Sequence, residues 1–190
     1  MGGAVFTPTR TVVTVRRFQD MVAAGVWRDD ERIELIDGEI VDMAPIGGAH
    51  AWCVTRVAEL LRARVGDRAH VWVQLPIVLG ERSQPQPDLA LIRDKAEGYD
   101  AALPSAEDVL LAIEVSDTTL GYHRGTKLRL YAAHGVPEYW VVDLQGERIE
   151  AYRGPGATGY ASREGVSGDD PLTVAALPGV ALRAGDCFAR

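Results

Sequence analysis

The sequence predicts an α/β (α+β) fold, a mixed central sheet flanked by helices. Three observations carry this. The runs PDLALIR, VLLAIEV and EYWVVD are near-continuous apolar stretches, the mark of strands buried on both faces. Two segments, Gly47 to Val65 and Tyr122 to His134, have apolar residues at helical spacing. The core elements then follow in the order helix, three strands, helix, strand.

Taken along the chain, Thr14 to Ala24 reads as a short amphipathic helix with Val15, Phe18 and Val22 on one side. Arg32 to Met43 alternates apolar and polar residues on either side of Asp37-Gly38, a hairpin signal. In the helix that follows, Val54, Val57, Ala58, Leu61 and Val65 form one buried face. His70 to Leu79 is apolar and β-branched, hence a strand. Pro87 to Arg93 and Val109 to Val115 are the next two strands, separated by a loop containing Gly98 and Pro104. The second core helix, Tyr122 to His134, is closed by Gly135 and Pro137. Glu138 to Asp143 is the fourth core strand, and Gly146 to Arg190 reads as a β extension with Gly-rich turns. The expected organisation is a single domain over 1–190, with its core at about 44–143 and the extension at about 146–190.

The 190 residues suffice for a hydrophobic core. Lys plus Arg number 20 against 27 Asp plus Glu, and the net charge of −7 argues against non-specific coating of nucleic acid. It leaves room for a nucleic-acid enzyme with a local basic groove and a bound cation. No apolar run reaches the ~18 residues of a membrane helix. Met1 to Arg10 lacks a secretory leader pattern, and the two cysteines, Cys53 and Cys187, make no disulfide framework. The expected setting is the cytoplasm, with reduced thiols and no membrane.

The informative residues are charges inside apolar runs. Asp88 opens one buried strand and Glu114 stands near the end of another. Burying a carboxylate costs several kcal/mol unless a cation or donors compensate it. Either residue alone could cap a loop or pair with an arginine. Together, at the ends of adjacent strands, they would form a site for a hard cation such as Mg²⁺. On a wheel of about 100° per residue, the apolar arc of Tyr122 to His134 is centred on Lys127, Tyr131 and Arg124. Eighteen of the 20 basic residues are Arg, so a lysine kept in that arc stands out. Its compact ammonium is not interchangeable with a guanidinium. It could orient or help deprotonate an attacking water, or neutralise developing charge; the alternative is a stem covering core while its head reaches solvent.

Other motifs carry less. His50 and Cys53 form a His-x-x-Cys pair, but no second pair has zinc spacing. Gly154 to Gly159 matches G-x-G-x-x-G, yet contains Pro155 and leads into YASREG rather than a helix, so it reads as a hairpin loop. No serine sits in a nucleophile elbow.

Pro87-Asp88 followed by Glu114-Val115-Ser116, on this order of elements, resembles the PD-(D/E)XK nuclease fold of the restriction-endonuclease-like superfamily. More specifically, the chain is similar to the Uma-two family of restriction endonucleases. The stretches IELIDGEIVDMAPIGGAH, QPDLALI, LLAIEVSDTTLGYHRGTKLRLYAAHGVPEYWVVD and LPGVALRAGDCF carry the likeness, across roughly residues 30–188.

The resemblance implies a Mg²⁺- or Mn²⁺-dependent endonuclease acting on nucleic acid, DNA or RNA, with DNA the first expectation. Asp88 and Glu114 would share the metal with the backbone carbonyl of Val115. The usual motif lysine would fall at Ser116, and its role would pass to Lys127. Glu34 and His50 match recurring polar positions as supporting residues. Arg124 and Tyr131 are expected at the substrate. In the family an aspartate often stands four residues before the helical lysine; here it is His123. Pairing into a homodimer is common among nucleases of this fold. The competing expectation, favoured by His123 and the −7 charge, is a non-catalytic module of the same fold that binds nucleic acid or protein. A third is a metal phosphodiesterase acting on small nucleotide esters.

Overall fold

The structure is a computed structural model that describes residues 11–28 and 30–189; Met1 to Arg10, read above for a leader, lies outside them. Helix α1 (Val15–Ala23) starts at Thr14, whose hydroxyl accepts the Arg17 N–H at 3.3 Å. It buries Val15 and Phe18 but not Val22, which is 51% exposed. The helix rests on the hairpin β1 (Ile33–Ile36) and β2 (Glu39–Asp42) only through its first turns, so the third residue of the expected face has nothing to cover. The hairpin turn is Asp37-Gly38, with φ of 49° and 84°. Both residues are left-handed, as a two-residue turn between twisted strands requires. In β1 the alternation sends Leu35 into a small cluster with Val15 and Phe18. Its neighbour Glu34 therefore points the opposite way, towards the body of the protein.

Helix α2 (Gly48–Val65) precedes a six-stranded sheet made of β3 (Ala69–Val73), β4 (Leu89–Arg93), β5 (Val109–Ser116), β6 (Glu138–Asp143), β7 (Arg148–Gly156) and β8 (Gly159–Ser167). The strands lie side by side in sequence order. Only β5 and β6 pair in parallel; the other neighbours are antiparallel. A parallel pair needs a crossover. It is provided by the turn α3 (Leu120–Tyr122), a π-turn at His123–Lys127 and helix α4 (Leu128–Ala133). The core order of helix, three strands, helix and strand is as expected.

Three elements differ in extent. The apolar run His70 to Leu79 leaves the sheet after Val73, because Gln74 takes a φ of 48°. Ile77 and Leu79 remain fully buried, with their N–H groups bonded to the Pro85 and Ser83 carbonyls rather than to a strand. The second core helix begins at Leu120 and contains the π-turn, which no hydropathy pattern marks. The C-terminal extension continues the central sheet: β7 and β8 are nine residues each, joined at Ala157-Thr158. The G-x-G-x-x-G stretch is thus a hairpin, as predicted. Two short strands, β9 (Pro171–Thr173) and β10 (Ala181–Arg183), form a separate ribbon.

Each face of the sheet has its own core. Leu89, Leu91, Leu111, Ile113 and Val115 pack with α2 and with Leu172, Leu182 and Cys187 from the C-terminal segment. Ala90, Ile92 and Ala112 face Leu130, Tyr131, Tyr139 and Tyr152. By the two-residue period, Glu114 follows Ala112 onto this second face, beneath the crossover helix. No helix of the described residues is long and apolar enough to cross a membrane.

Candidate active site

Asp88 sits just before β4, 6% exposed, next to the end of β5. Its Oδ2 accepts the Val115 N–H at 2.8 Å and meets His50 Nε2, from the first turn of α2, at 3.0 Å. Its Oδ1 has only Gln74 Nε2, at 3.5 Å. The left-handed backbone at Gln74 serves this contact, for its N–H also binds the Asp88 carbonyl at 3.0 Å.

Glu114 lies across β5 from this group, 3% exposed. Its Oε1 accepts the Tyr131 hydroxyl at 2.8 Å and lies 3.2 Å from Lys127 Nζ. Its Oε2 has no hydrogen bond, and His123 Nδ1 lies 3.7 Å away. Lys127, 2% exposed, is held more closely by Glu34, with Nζ 2.5 Å from Oε2. Glu34 also accepts the Gln86 N–H at 3.2 Å and the Tyr122 hydroxyl at 3.3 Å. The lysine is therefore not snorkelling: its head ends between two buried carboxylates.

The electrostatics follow from these contacts. Burial pushes the Glu114 carboxyl up to about 7, against the pull of Lys127 and with help from the Asp88 and Glu34 charges. Burial works against the Lys127 charge, but Glu114 and Glu34 outweigh it and raise its pKa. For His50, burial is likewise overcome by Asp88, and the imidazole is raised. His123 moves the other way, to about 4, through burial and the Lys127 charge, so it is neutral near pH 7. Its Nε2 lies 2.7 Å from Thr119 Oγ1. Among the described residues, the buried side-chain nitrogens or oxygens left without a hydrogen-bond partner are His50 Nδ1 and His123 Nδ1. Both residues line one cavity of about 640 Å³, together with Glu34, Asp88, Glu114 and Lys127.

Asp88, Glu114, Lys127, Glu34 and His50 are thus brought together. Val115 also lines the cavity. Arg124 and Tyr131 are not where substrate contacts were expected. Arg124 turns to β7, with its guanidinium 2.7 Å and 2.9 Å from the buried Glu150 carboxylate and 3.5 Å from Asp143. The π-turn explains this placement: a wider turn takes the residue three before Lys127 off the lysine's face. Tyr131 is fully buried and reaches Glu114, so it positions that carboxylate and does not meet solvent. His50 and Cys53 part company, since Cys53 is 2% exposed in the α2 core and burial pushes its thiol up to about 12. The His123 imidazole had no sequence signal beyond its departure from the family pattern.

The donor set fits a divalent cation. Two carboxylates from adjacent strands and a nearby backbone carbonyl are hard oxygen ligands, and Mg²⁺ takes one or two carboxylates while keeping water. When ionised, the carboxylates Glu34, Asp88 and Glu114 outnumber the ammonium of Lys127 in a buried cluster, an excess that a cation would offset. Among the described residues no three His, Cys, Asp or Glu side chains are already gathered closely enough to hold a metal.

Comparison with known proteins bears on the fold and the family. A likeness to a solved structure from Anabaena variabilis ATCC 29413, described as "a putative nuclease belonging to DUF820", has a TM-score of 0.71 at 16% identity. It covers 93% of this chain and 97% of that one, and shows a shared fold. No curated protein matches. The model of the Uma2 family, described as "Putative restriction endonuclease", matches residues 17–185. That span runs from within α1 to the turn after β10 and takes in Glu34, His50, Asp88, Glu114 and Lys127, so the chain belongs to the Uma2 family.

Proposed function

We propose that the protein is a divalent-metal-dependent endonuclease that hydrolyses phosphodiester bonds of nucleic acid, with DNA as the first substrate to test. The observation that carries this reading is the meeting of Asp88, Glu114 and Lys127 in one cavity, with Lys127 Nζ 3.2 Å from Glu114. The cavity lining includes Glu34, Asp42, Asp88, Glu114 and Asp117 against Arg32 and Lys127. A phosphodiester would be repelled from such a surface until positive charge is added.

Asp88 and Glu114, with the Val115 carbonyl, would hold Mg²⁺ or Mn²⁺. The cation, when bound, supplies a polarised phosphoryl oxygen and an activated water. Lys127 keeps its proton in the pairing with Glu34 and Glu114, so it acts as a cationic N–H donor rather than as a base. It orients water and offsets charge that develops on phosphate. Glu34 fixes the ammonium, Tyr131 fixes Glu114, and His50 fixes Asp88. Cutting both strands of a duplex would call for two such sites, and a homodimer is the expected form.

The test is nicking of supercoiled DNA with Mg²⁺ or Mn²⁺ by wild type, Asp88→Ala and Glu114→Ala, each checked for fold by circular dichroism. Wild type nicks and both variants do not. Equal nicking by all three would refute the site.

A further inference from the structure

We propose that His123, through Nδ1, is a further ligand of the cation held by Asp88 and Glu114, and that it makes the site prefer a first-row transition ion over Mg²⁺. The proposal rests on the metal-dependent reading above and names the ion class for that site.

The first argument is the orphaned nitrogen. His123 is 8% exposed and lines the cavity. Its Nε2 is committed to Thr119 Oγ1 at 2.7 Å, which fixes the ring and leaves Nδ1 buried without a partner. Buried polar atoms are nearly always satisfied, and an exception calls for a ligand, ion or water.

The second argument is the pattern of free lone pairs. Glu114 Oε1 is used by Tyr131 and Lys127, while Oε2 makes no hydrogen bond. Asp88 Oδ2 is used by Val115 and His50, while Oδ1 has only Gln74 at 3.5 Å. The unclaimed donors on residues that line this cavity thus include one oxygen of each carboxylate, His50 Nδ1 and His123 Nδ1; His50 already meets Asp88 through Nε2, whereas His123 Nδ1 is the nitrogen that faces the unclaimed Glu114 oxygen.

The third is a distance. His123 Nδ1 and Glu114 Oε2 are 3.7 Å apart, too far for a hydrogen bond. Two donors on one ion at bonds of about 2.1 Å stand about 3 to 3.7 Å apart for angles of roughly 90° to 120°. The pair is therefore spaced for a shared ion. The three side chains are not yet gathered to bonding distance, so loading the ion would draw them together.

Mg²⁺ favours oxygen ligands, whereas imidazole suits the first-row transition ions. An imidazole nitrogen beside two carboxylates thus shifts preference away from Mg²⁺. The test is calorimetric titration of Mn²⁺ and of Mg²⁺ into wild type, Asp88→Ala, His123→Gln and His123→Asp. Electron spin-echo spectroscopy of the Mn²⁺-loaded proteins runs alongside, and thermal melts check that each variant folds. Wild type should bind Mn²⁺ at least about tenfold more tightly than Mg²⁺, and His123→Gln should lose about tenfold or more of the Mn²⁺ affinity. The nitrogen modulation of bound Mn²⁺ should vanish in His123→Gln and persist in His50→Gln. His123→Asp, which restores an oxygen ligand, should narrow the preference. Unchanged Mn²⁺ affinity with persistent nitrogen modulation in His123→Gln would overturn the proposal while leaving the carboxylate site intact; a water at Nδ1 predicts that result. If wild type and Asp88→Ala both fail to bind either ion, the metal-dependent reading itself fails, and this proposal with it.

Discussion

Glu114→Gln offers a measure of how far the buried cluster is under electrostatic stress. Burial, with Asp88 and Glu34 nearby, lifts the Glu114 carboxyl from its ordinary 4.5 to about 7 in the folded chain. At about 1.36 kcal/mol per pH unit, that rise amounts to about 3 kcal/mol. The sign follows from proton counting. Between pH 4.5 and 7 the folded chain holds a proton on Glu114 that the unfolded chain has lost, so stability falls as pH rises. Below 4.5 both states are protonated and the favourable contribution is complete; above 7 it is gone. The Gln variant has the same shape and no titration. Denaturant unfolding in EDTA, from pH 4.5 to 8.5, should therefore show the variant gaining about 3 kcal/mol on wild type as pH rises. Saturating Mn²⁺ should stabilise wild type at pH 8 and leave the variant nearly unmoved, because binding to the folded state alone adds stability. A difference between the two proteins that stays flat with pH would refute the reasoning, since Glu114 would then be ionised at its ordinary pKa.

Two further predictions concern the cations on the crossover. Lys127→Met removes the charge between Glu34 and Glu114, and should cost about 3–5 kcal/mol in denaturant unfolding above pH 7, as loss of one buried partner does; Lys127→Met with Glu34→Gln should recover part of it, while nicking stays lost in both. Arg124→Ala should lower stability by only about 1 kcal/mol, because the arginine is partly exposed and Arg163 and Tyr152 still hold Glu150; its nicking rate should stay within about twofold, and a large rise in Kd for DNA would return Arg124 to the substrate.

Much of this arrangement can be read from the chain. The hairpin follows from Asp37-Gly38, and the sheet from apolar runs too long to alternate. Asp88 and Glu114 stand out because ionisable groups inside such runs need a reason, and Lys127 because the helical arc closes around it. What hydropathy does not carry is backbone conformation and side-chain direction. The left-handed Gln74 ends a strand inside an apolar run, and the run stays buried because Ile77 and Leu79 find carbonyls elsewhere. The π-turn separates Arg124 from Lys127, which a uniform wheel keeps together. Glu34 reads as an ordinary outward strand residue; only tertiary packing makes that side of a four-residue strand an interior. Tyr131 was legible as a member of the arc, but its hydroxyl contact with Glu114 depends on where β5 lies.

On the proposed function, the placing of the lysine on the crossover explains why the hairpin is needed. Glu114 and Ser116 share a face of β5 by alternation, so a lysine at Ser116 would reach the carboxylate along its own strand. Here Ser116 is 1% exposed and its Oγ lies 3.5 Å from Thr119 Oγ1, which in turn holds His123 Nε2. The strand position that would carry a cation thus begins a hydroxyl chain that fixes an imidazole. The ammonium instead descends from the crossover helix into a buried space, where one carboxylate would have to serve both it and a metal. Glu34 relieves that conflict. It takes the shorter contact, 2.5 Å against 3.2 Å for Glu114. It is presented by a hairpin pinned through Leu35 to Gln84 and through Gly38 to Arg82. With the lysine held from that side, Glu114 meets it through Oε1 alone, and Oε2 stays without a hydrogen bond, which is what the proposed cation site requires.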